Sequence, residues 1–143
     1  MRTINELEKY LEDNCYSFQE ISIGNHNAYE GIYIEQAGEK FIYGYSERGV
    51  NTILQSFDTE EELVNYALNN LNKSRWNKAH LVAWTWNERD IEKAEKELRK
   101  LNITFERNDI HNYDTKHRNA YRIFVFGKDV KKLSEFKAKY YKE

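Results

Sequence analysis

Apolar positions along the chain follow two different periods. Near the start, Ile4, Leu7 and Leu11 recur at the three-to-four-residue spacing of a helix, which predicts a helix over residues 3–14. The period then shortens to two, as in a half-buried strand. This alternation predicts strands over residues 17–23, 31–35, 40–45 and 51–57, with turns at 24–28, 36–39 and 46–49. The first half is therefore expected to contain an antiparallel meander.

A helix start follows this meander. Thr59 can cap the free amide groups of a helix, and Glu62, three residues later, can reach back to Thr59. Glu60 and Glu61 add negative charge at the positive end of the helix dipole. The expected buried stripe consists of Leu63, Tyr66, Ala67 and Leu71.

The second half shows the same two periods. Strands are predicted over residues 81–86, 103–107 and 120–126, and the last of these is expected to be central because it is apolar on both faces. Asn87 is expected to cap a helix that runs to about residue 101. Asp129 is expected to cap a final helix, with Val130, Leu133, Phe136 and Tyr140 facing inward.

These elements predict an α+β fold, with an antiparallel sheet or sheets of about six to seven strands and about four helices packed against them. No Pro or Gly-rich linker divides the chain, so residues 1–143 are expected to form a single domain. The charge is nevertheless uneven. Residues 1–74 carry 13 acidic and 5 basic side chains, whereas residues 75–143 carry 11 acidic and 17 basic ones. The domain could therefore consist of two halves. Residues 1–74 would form an acidic meander with its helix, and residues 75–143 would form a basic α/β half.

The amino-acid composition indicates that the chain can form a core and in which cellular compartment it is expected. The apolar fraction is 40% and includes 11 Tyr, 7 Phe and 3 Trp, which is enough for a core. The single cysteine, Cys15, excludes a disulfide within one chain and fits a reducing compartment. No stretch approaches the roughly 20 apolar residues that cross a bilayer. We therefore expect a cytoplasmic protein without a membrane partner.

The sequence contains no phosphate-binding loop motif, no common zinc-ligand spacing and no nucleophile motif of the serine hydrolases. One polar segment does concentrate ionisable side chains, namely Asp109, His111, Asp114 and His117. Such groups can bind a metal or perform acid–base chemistry on RNA. The same residue types also suit solvated turns, and their spacing matches no metal motif. The sequence thus predicts no metal, no cofactor and no enzymatic activity.

Nucleic acid is a disfavoured partner. The second half is basic, and Trp76, Trp84 and Trp86 could stack on bases. However, the pI is about 6.1, and Trp84 and Trp86 share one face of a predicted strand. Core packing is the favoured interpretation for these two side chains.

Several segments together resemble a known family. They are the tyrosine-rich hairpin at 31–35 and 41–45, the Glu47-Arg48-Gly49 turn, and the Thr59 helix start at 57–62. The segments 107–110 and 121–129 add to the likeness. In these segments the chain resembles the immunity proteins of bacterial polymorphic toxin systems, of the immunity protein 59 type.

The resemblance implies an antitoxin that binds a cognate toxin domain, for which a nuclease is one candidate, and neutralises it by occlusion. It implies a partner-binding surface with aromatic anchors and complementary charge. The candidate residues are Tyr33, Glu35, Tyr43, Tyr45, Glu47, Arg48, Glu60 and Glu61. The alternative is a small RNA-binding or RNA-cleaving protein that uses the loop with Asp109, His111 and His117.

Overall fold

The computed structural model describes residues 1–142, and the chain divides into two compact units between Asn77 and Lys78. The division lies close to the point where the charge balance changes sign. Each unit has its own sheet and its own buried core. The α+β class and the total of seven strands are confirmed, in two separate sheets of four and three strands.

The first unit contains helix α1 (Ile4–Asp13), strands β1 (Ile21–Ile23), β2 (Gly31–Ala37), β3 (Lys40–Glu47) and β4 (Val50–Phe57), and helix α2 (Glu60–Leu71). The sheet order is β1-β2-β3-β4, so β4 lies at one edge. β2, β3 and β4 pair antiparallel, as expected of a meander. The first predicted strand is shorter than expected because the chain turns before Ile21, and β1 pairs parallel with β2.

Both helices of this unit begin at a threonine cap. The side chains of Thr3 and Thr59 accept the amide hydrogens of Glu6 and Glu62. The start of α2 is therefore where the Thr59 motif predicts it. The sheet and helix faces meet in a core of mostly aliphatic side chains with two tyrosines: Leu7, Leu11, Tyr16, Ile21, Ile23, Ile34, Tyr43, Leu63, Val64, Ala67 and Leu71.

The second unit contains β5 (Ala79–Thr85), α3 (Glu88–Lys100), β6 (Phe105–Arg107), β7 (Tyr121–Phe126) and α4 (Ser134–Tyr140). Its sheet order is β5-β7-β6, which confirms the prediction of a central strand at 120–126. The Asn87 side chain caps α3, again as expected.

The predicted start of the last helix is wrong. Residues Gly127–Lys132, including the expected cap Asp129, form a 3₁₀ segment, and α4 begins only at Ser134. Leu133, with φ −118°, interrupts the α geometry between the two pieces. The inward positions were nevertheless predicted correctly, since Leu133, Phe136 and Tyr140 are buried and Val130 packs against the same core while partly buried.

None of the helices within residues 1–142 combines the length and the apolar character that a membrane span requires.

Candidate functional site

The turn between β3 and β4 displays two of the predicted site residues. Glu47 ends β3, and Arg48 and Gly49 form a two-residue connection in which both have positive φ (52° and 78°). Two positive φ values match the twist of antiparallel strands, and glycine or asparagine is usual there. Arg48 adopts this conformation at a steric cost. Both Glu47 and Arg48 are exposed, so the turn presents an acid and a base at the tip of a rigid hairpin.

Strand β4, which follows this turn, is exposed over almost its whole length. Each of its residues from Val50 to Ser56 is exposed, and Phe57 alone is partly buried against the core. The apolar side chains of Val50, Ile53 and Leu54 are 66%, 57% and 48% exposed. A change of register against β3 leaves Leu54 as the extra residue of a bulge. We call residues 50–56 the β4 edge.

Tyr33 and Glu35 lie on the face of the sheet opposite the helices. In the β2–β3 register Tyr33 faces Gly44, where a Cβ atom would lie 2.1 Å from the Tyr33 ring. Gly44 therefore provides the space in which the ring of Tyr33 lies. Partial burial, and then the negative charge of Glu35, raise the pKa of the Tyr33 hydroxyl. Glu35 itself is exposed.

Tyr43 and Tyr45 lie on the opposite face of the sheet from Tyr33. The three predicted aromatic anchors therefore do not form one continuous surface. Tyr43 is 6% exposed and packs edge-on against Tyr66 of α2 at 5.1 Å between ring centroids. It is therefore a core residue and offers no contact to a partner. Tyr45, farther along β3, is 40% exposed and remains accessible beside the turn.

Glu60 and Glu61 have different environments at the start of α2. A carboxylate oxygen of Glu60 accepts a hydrogen bond from the backbone amide of Ile4 at 2.9 Å, which joins the starts of α1 and α2. Glu61 is exposed and lies 4.0 Å from the guanidinium of Arg2. Glu60 has a structural contact, whereas Glu61 is available to a partner.

The polar loop at 109–117 does not bring its ionisable groups together. Asp109 forms an ion pair with Arg107 at 2.6 Å, and Asp114 forms one with Arg118 at 2.6 Å. Arg118 also lowers the pKa of the Asp114 carboxyl through hydrogen bonds and charge. His111 and His117 are exposed. Arg107 thus neutralises Asp109, the carboxylate that the RNA-cleaving alternative uses together with His111 and His117.

The tryptophans of the second unit form an aromatic cluster with Tyr113. Trp84 is 3% exposed and packs edge-on against Trp86 at 4.6 Å, as expected for core packing. Arg118 covers the ring of Trp86, with its guanidinium carbon 3.9 Å from the ring centroid. That face of Trp86 is therefore already stacked, which disfavours base stacking there.

Two features were missed by the sequence interpretation. The exposure of Val50, Ile53 and Leu54 depends on β4 being an edge strand, and strand order could not be read from the pattern. The second feature is a group formed by Glu8, Glu12 and His26, whose ligand atoms lie within 4.8 Å of one another. The helical spacing of Glu8 and Glu12, four residues apart, was a visible signal for it.

No protein-family model matches the chain, and neither a curated protein nor a solved structure matches it.

Proposed function

We propose that the protein acts by binding a partner protein, and that this partner is a basic toxin domain, neutralised by occlusion. The observation that carries the proposal is the β4 edge, whose backbone groups facing away from β3 pair with no other strand among residues 1–142 and whose apolar side chains are exposed. A partner of this kind can add an extended segment to such an edge through main-chain hydrogen bonds, with side chains supplying specificity.

The β4 edge lacks the charged residues and prolines that usually protect an edge strand. Natural edges carry lysines, prolines or inward-pointing charges that prevent pairing with other chains. Residues 50–56 contain no charged residue and no proline, and the bulge at Leu54 leaves the stretch 50–53 regular. An uncharged edge favours an uncharged strand in the partner, because an unpaired charge would be desolvated there.

The charge around the edge favours a basic partner. Residues 1–77 carry 13 acidic and 6 basic side chains. Glu47 precedes β4, and Glu35 and Glu61 are also exposed, whereas Asp58, which follows β4, forms an ion pair with Lys40. Complementary charge steers encounter and determines orientation. A nuclease domain has the positive surface that nucleic acid requires, so such a toxin suits this acidic unit.

The proposed surface therefore joins the β4 edge to part of the predicted residue set. Tyr45, Glu47 and Arg48 lie at the turn next to Val50, and Glu35 and Glu61 add negative charge to the unit. Tyr33 contributes a half-buried ring on the other face of the sheet. Tyr43 and Glu60 are left out because both have contacts inside the unit.

The experiment first identifies the gene next to this one and, where it encodes a large toxin, co-expresses the C-terminal domain of that toxin with the chain. We expect the wild-type chain to bind the domain and rescue growth. Ile53→Lys is expected to weaken binding by at least tenfold, because it places a charge in the middle of the paired edge. Asn65→Lys adds the same charge at an exposed position of α2 and serves as the matched control.

Equal loss of affinity in Ile53→Lys and Asn65→Lys would remove the β4 edge from the proposal. Self-association of the chain that Ile53→Lys abolishes, without binding of the toxin domain, would assign the edge to a second copy instead. Absence of a toxin gene beside this one, together with no rescue, would reject the antitoxin role.

A further inference from the structure

A cluster of three potential metal ligands lies between α1 and the turn that follows β1. Nε2 of His26 lies 2.6 Å from Oε2 of Glu12 and 3.8 Å from Oε2 of Glu8. The two carboxylates lie on one face of α1 because they are four residues apart. His26 belongs to the turn that the sequence predicts at 24–28, far from both glutamates along the chain.

The turn is held firmly against the helix. The backbone amide of Asn25 donates to Oε2 of Glu8 at 2.8 Å. The ring of Phe18 stacks on His26, with ring centroids 3.7 Å apart and an angle of 13° between the planes. Gly24 has φ 56°, and a Cβ atom at this position would lie 2.4 Å from Oε1 of Glu8. The orientation of His26 and the close approach of the turn are therefore set before any ligand binds.

The nearly buried carboxylate of Glu8 accepts a hydrogen bond from the Asn25 amide and lies beside His26, and neither of these partners carries a permanent positive charge. The Glu8 side chain is 10% exposed. A buried carboxylate is costly unless a positive charge or several hydrogen bonds compensate it. Among residues 1–142, Glu8 has no lysine or arginine within 4.0 Å, and its nearest cationic group is His26, which is charged only when protonated. Lys9, next to it along the chain, forms an ion pair with Asp13 instead, at 3.4 Å.

We propose that Glu8, Glu12 and His26 form a binding site for a divalent transition-metal ion of the Zn²⁺ class. One imidazole and two carboxylates suit such an ion, whereas Mg²⁺ and Ca²⁺ prefer oxygen ligands alone. Ligand atoms around tetrahedral Zn²⁺ are about 3.4 Å apart, given metal–ligand distances of roughly 2.0–2.2 Å. The 3.8 Å between His26 and Glu8 is close to this value.

Metal binding requires one small rearrangement. The 2.6 Å contact between His26 and Glu12 is a hydrogen bond, so the proton shared between them must be released to solvent and Oε2 of Glu12 must move outward by less than about 1 Å. The side chain of Glu12 is 48% exposed and has room to move. An open cleft of about 350 Å³ is lined by Glu8, Lys9 and Glu12 among others, so the two carboxylates of the site border space that water ligands could occupy.

The Asn25 amide has a distinct role in this site. It holds Glu8 in place through a backbone hydrogen bond, as groups around a metal commonly orient the ligands. Such a fixed carboxylate, together with a stacked imidazole, reduces the ordering cost of binding.

The test measures Zn²⁺ binding to the full chain by isothermal titration calorimetry, together with the change in melting temperature. We expect one Zn²⁺ per chain and a higher melting temperature, because a ligand that binds the folded state stabilises it. Glu12→Gln and His26→Gln are each expected to weaken Zn²⁺ binding by roughly tenfold or more, since each removes a ligand. The exposed position of Glu12 makes Glu12→Gln safe for folding, which circular dichroism verifies.

His117→Gln is the matched control, because it removes an exposed histidine from the second unit. It is expected to leave Zn²⁺ affinity unchanged. Co²⁺ in place of Zn²⁺ is expected to give visible absorption bands of a low-coordinate site, and these bands are expected to disappear in Glu12→Gln. Zn²⁺ binding that survives both ligand substitutions, no binding to the wild-type chain, or equal affinity for Zn²⁺ and Mg²⁺ would each overturn the assignment.

Discussion

At the scale of single residues, the sheet of the first unit depends on one glycine for which the periodic pattern offers no reason. Gly44 lies between two tyrosines of β3. A glycine is needed at this position because of a contact with a residue on the neighbouring strand β2. The ring of Tyr33 occupies the space where a side chain at position 44 would lie. This pair explains how the large ring of Tyr33 can be half buried on a face of the sheet that the helices do not cover.

We expect Gly44→Ala to destabilise the protein by about 1–3 kcal/mol, because the new methyl group displaces the Tyr33 ring. In a Tyr33→Ala background the same change is expected to stabilise by about 0.5–1 kcal/mol, since alanine loses less entropy than glycine in a strand. Urea unfolding of the wild type, the two single variants and the double variant measures the free energy of unfolding of each, and thereby the effect of Gly44→Ala in both backgrounds.

Gly38→Ala serves as the control for this cycle. Gly38 also belongs to the hairpin and has φ 64°, and a Cβ atom added there would have no heavy atom within 4 Å. Its substitution is expected to cost roughly 1 kcal/mol from backbone strain alone, in either background. A cost for Gly44→Ala that is independent of Tyr33 would contradict the proposed steric contact.

At the scale of elements, the helix starts are the boundaries that local chemistry defines best. Thr59 accepts the amide hydrogen of Glu62 at 3.3 Å and donates its hydroxyl hydrogen to the Glu62 carboxylate at 2.8 Å. Thr3 and Glu6 repeat this arrangement at α1. The contacts join residues three positions apart, so the sequence alone was sufficient to predict the one at α2.

Thr59→Ala is expected to destabilise the protein by about 1 kcal/mol, because the first turn of α2 loses its side-chain acceptor. Thr59→Ser keeps the hydroxyl and is expected to stay within roughly 0.5 kcal/mol of the wild type. The measurement is chemical unfolding followed by circular dichroism. Equal destabilisation by alanine and serine would show that the methyl group of Thr59, and not its cap, matters.

At the scale of the whole molecule, charge is distributed between the two units. The first unit is acidic and the second is basic, and each has its own core. The proposed toxin partner is expected to interact with the acidic unit. Because its residues Glu35, Glu47 and Glu61 are exposed, their charges act at a distance and are screened by salt.

The association rate of the toxin domain is therefore expected to fall by on the order of tenfold or more as NaCl is raised well above physiological concentration. The triple variant Glu35→Lys, Glu47→Lys and Glu61→Lys is expected to lower the rate at low salt and reduce its salt dependence. Stopped-flow mixing measures both effects. Glu60 is excluded from the variant because it joins the two helix starts.

A matched control makes the same charge change in the second unit, at the exposed residues Glu88, Glu92 and Glu135. This control is expected to change the rate by a smaller factor. A rate that is insensitive to salt and to the first variant would contradict electrostatic steering by the acidic unit, while leaving the pairing at the β4 edge to be decided by Ile53→Lys.

The amino-acid sequence by itself determined the features that depend on near neighbours. Hydrophobic periodicity predicted the helix at Ile4–Asp13 and the central position of β7. Capping residues predicted the helix starts after Thr59 and Asn87, and turn residues predicted the meander of β2, β3 and β4. Each of these depends on contacts within a few residues or on the apolar character of a single segment.

Tertiary structure decided which side chains are available, because burial depends on which elements pack together. Tyr43 and Tyr45 have the same spacing and chemistry, yet α2 covers only the former. The exposure of Ile53 follows from β4 being an edge strand, and the meeting of His26 with Glu8 follows from a turn that folds back onto a distant helix. The edge position of β4 and the closure of the turn onto α1 depend on residues far apart along the chain, and no local periodicity encodes them.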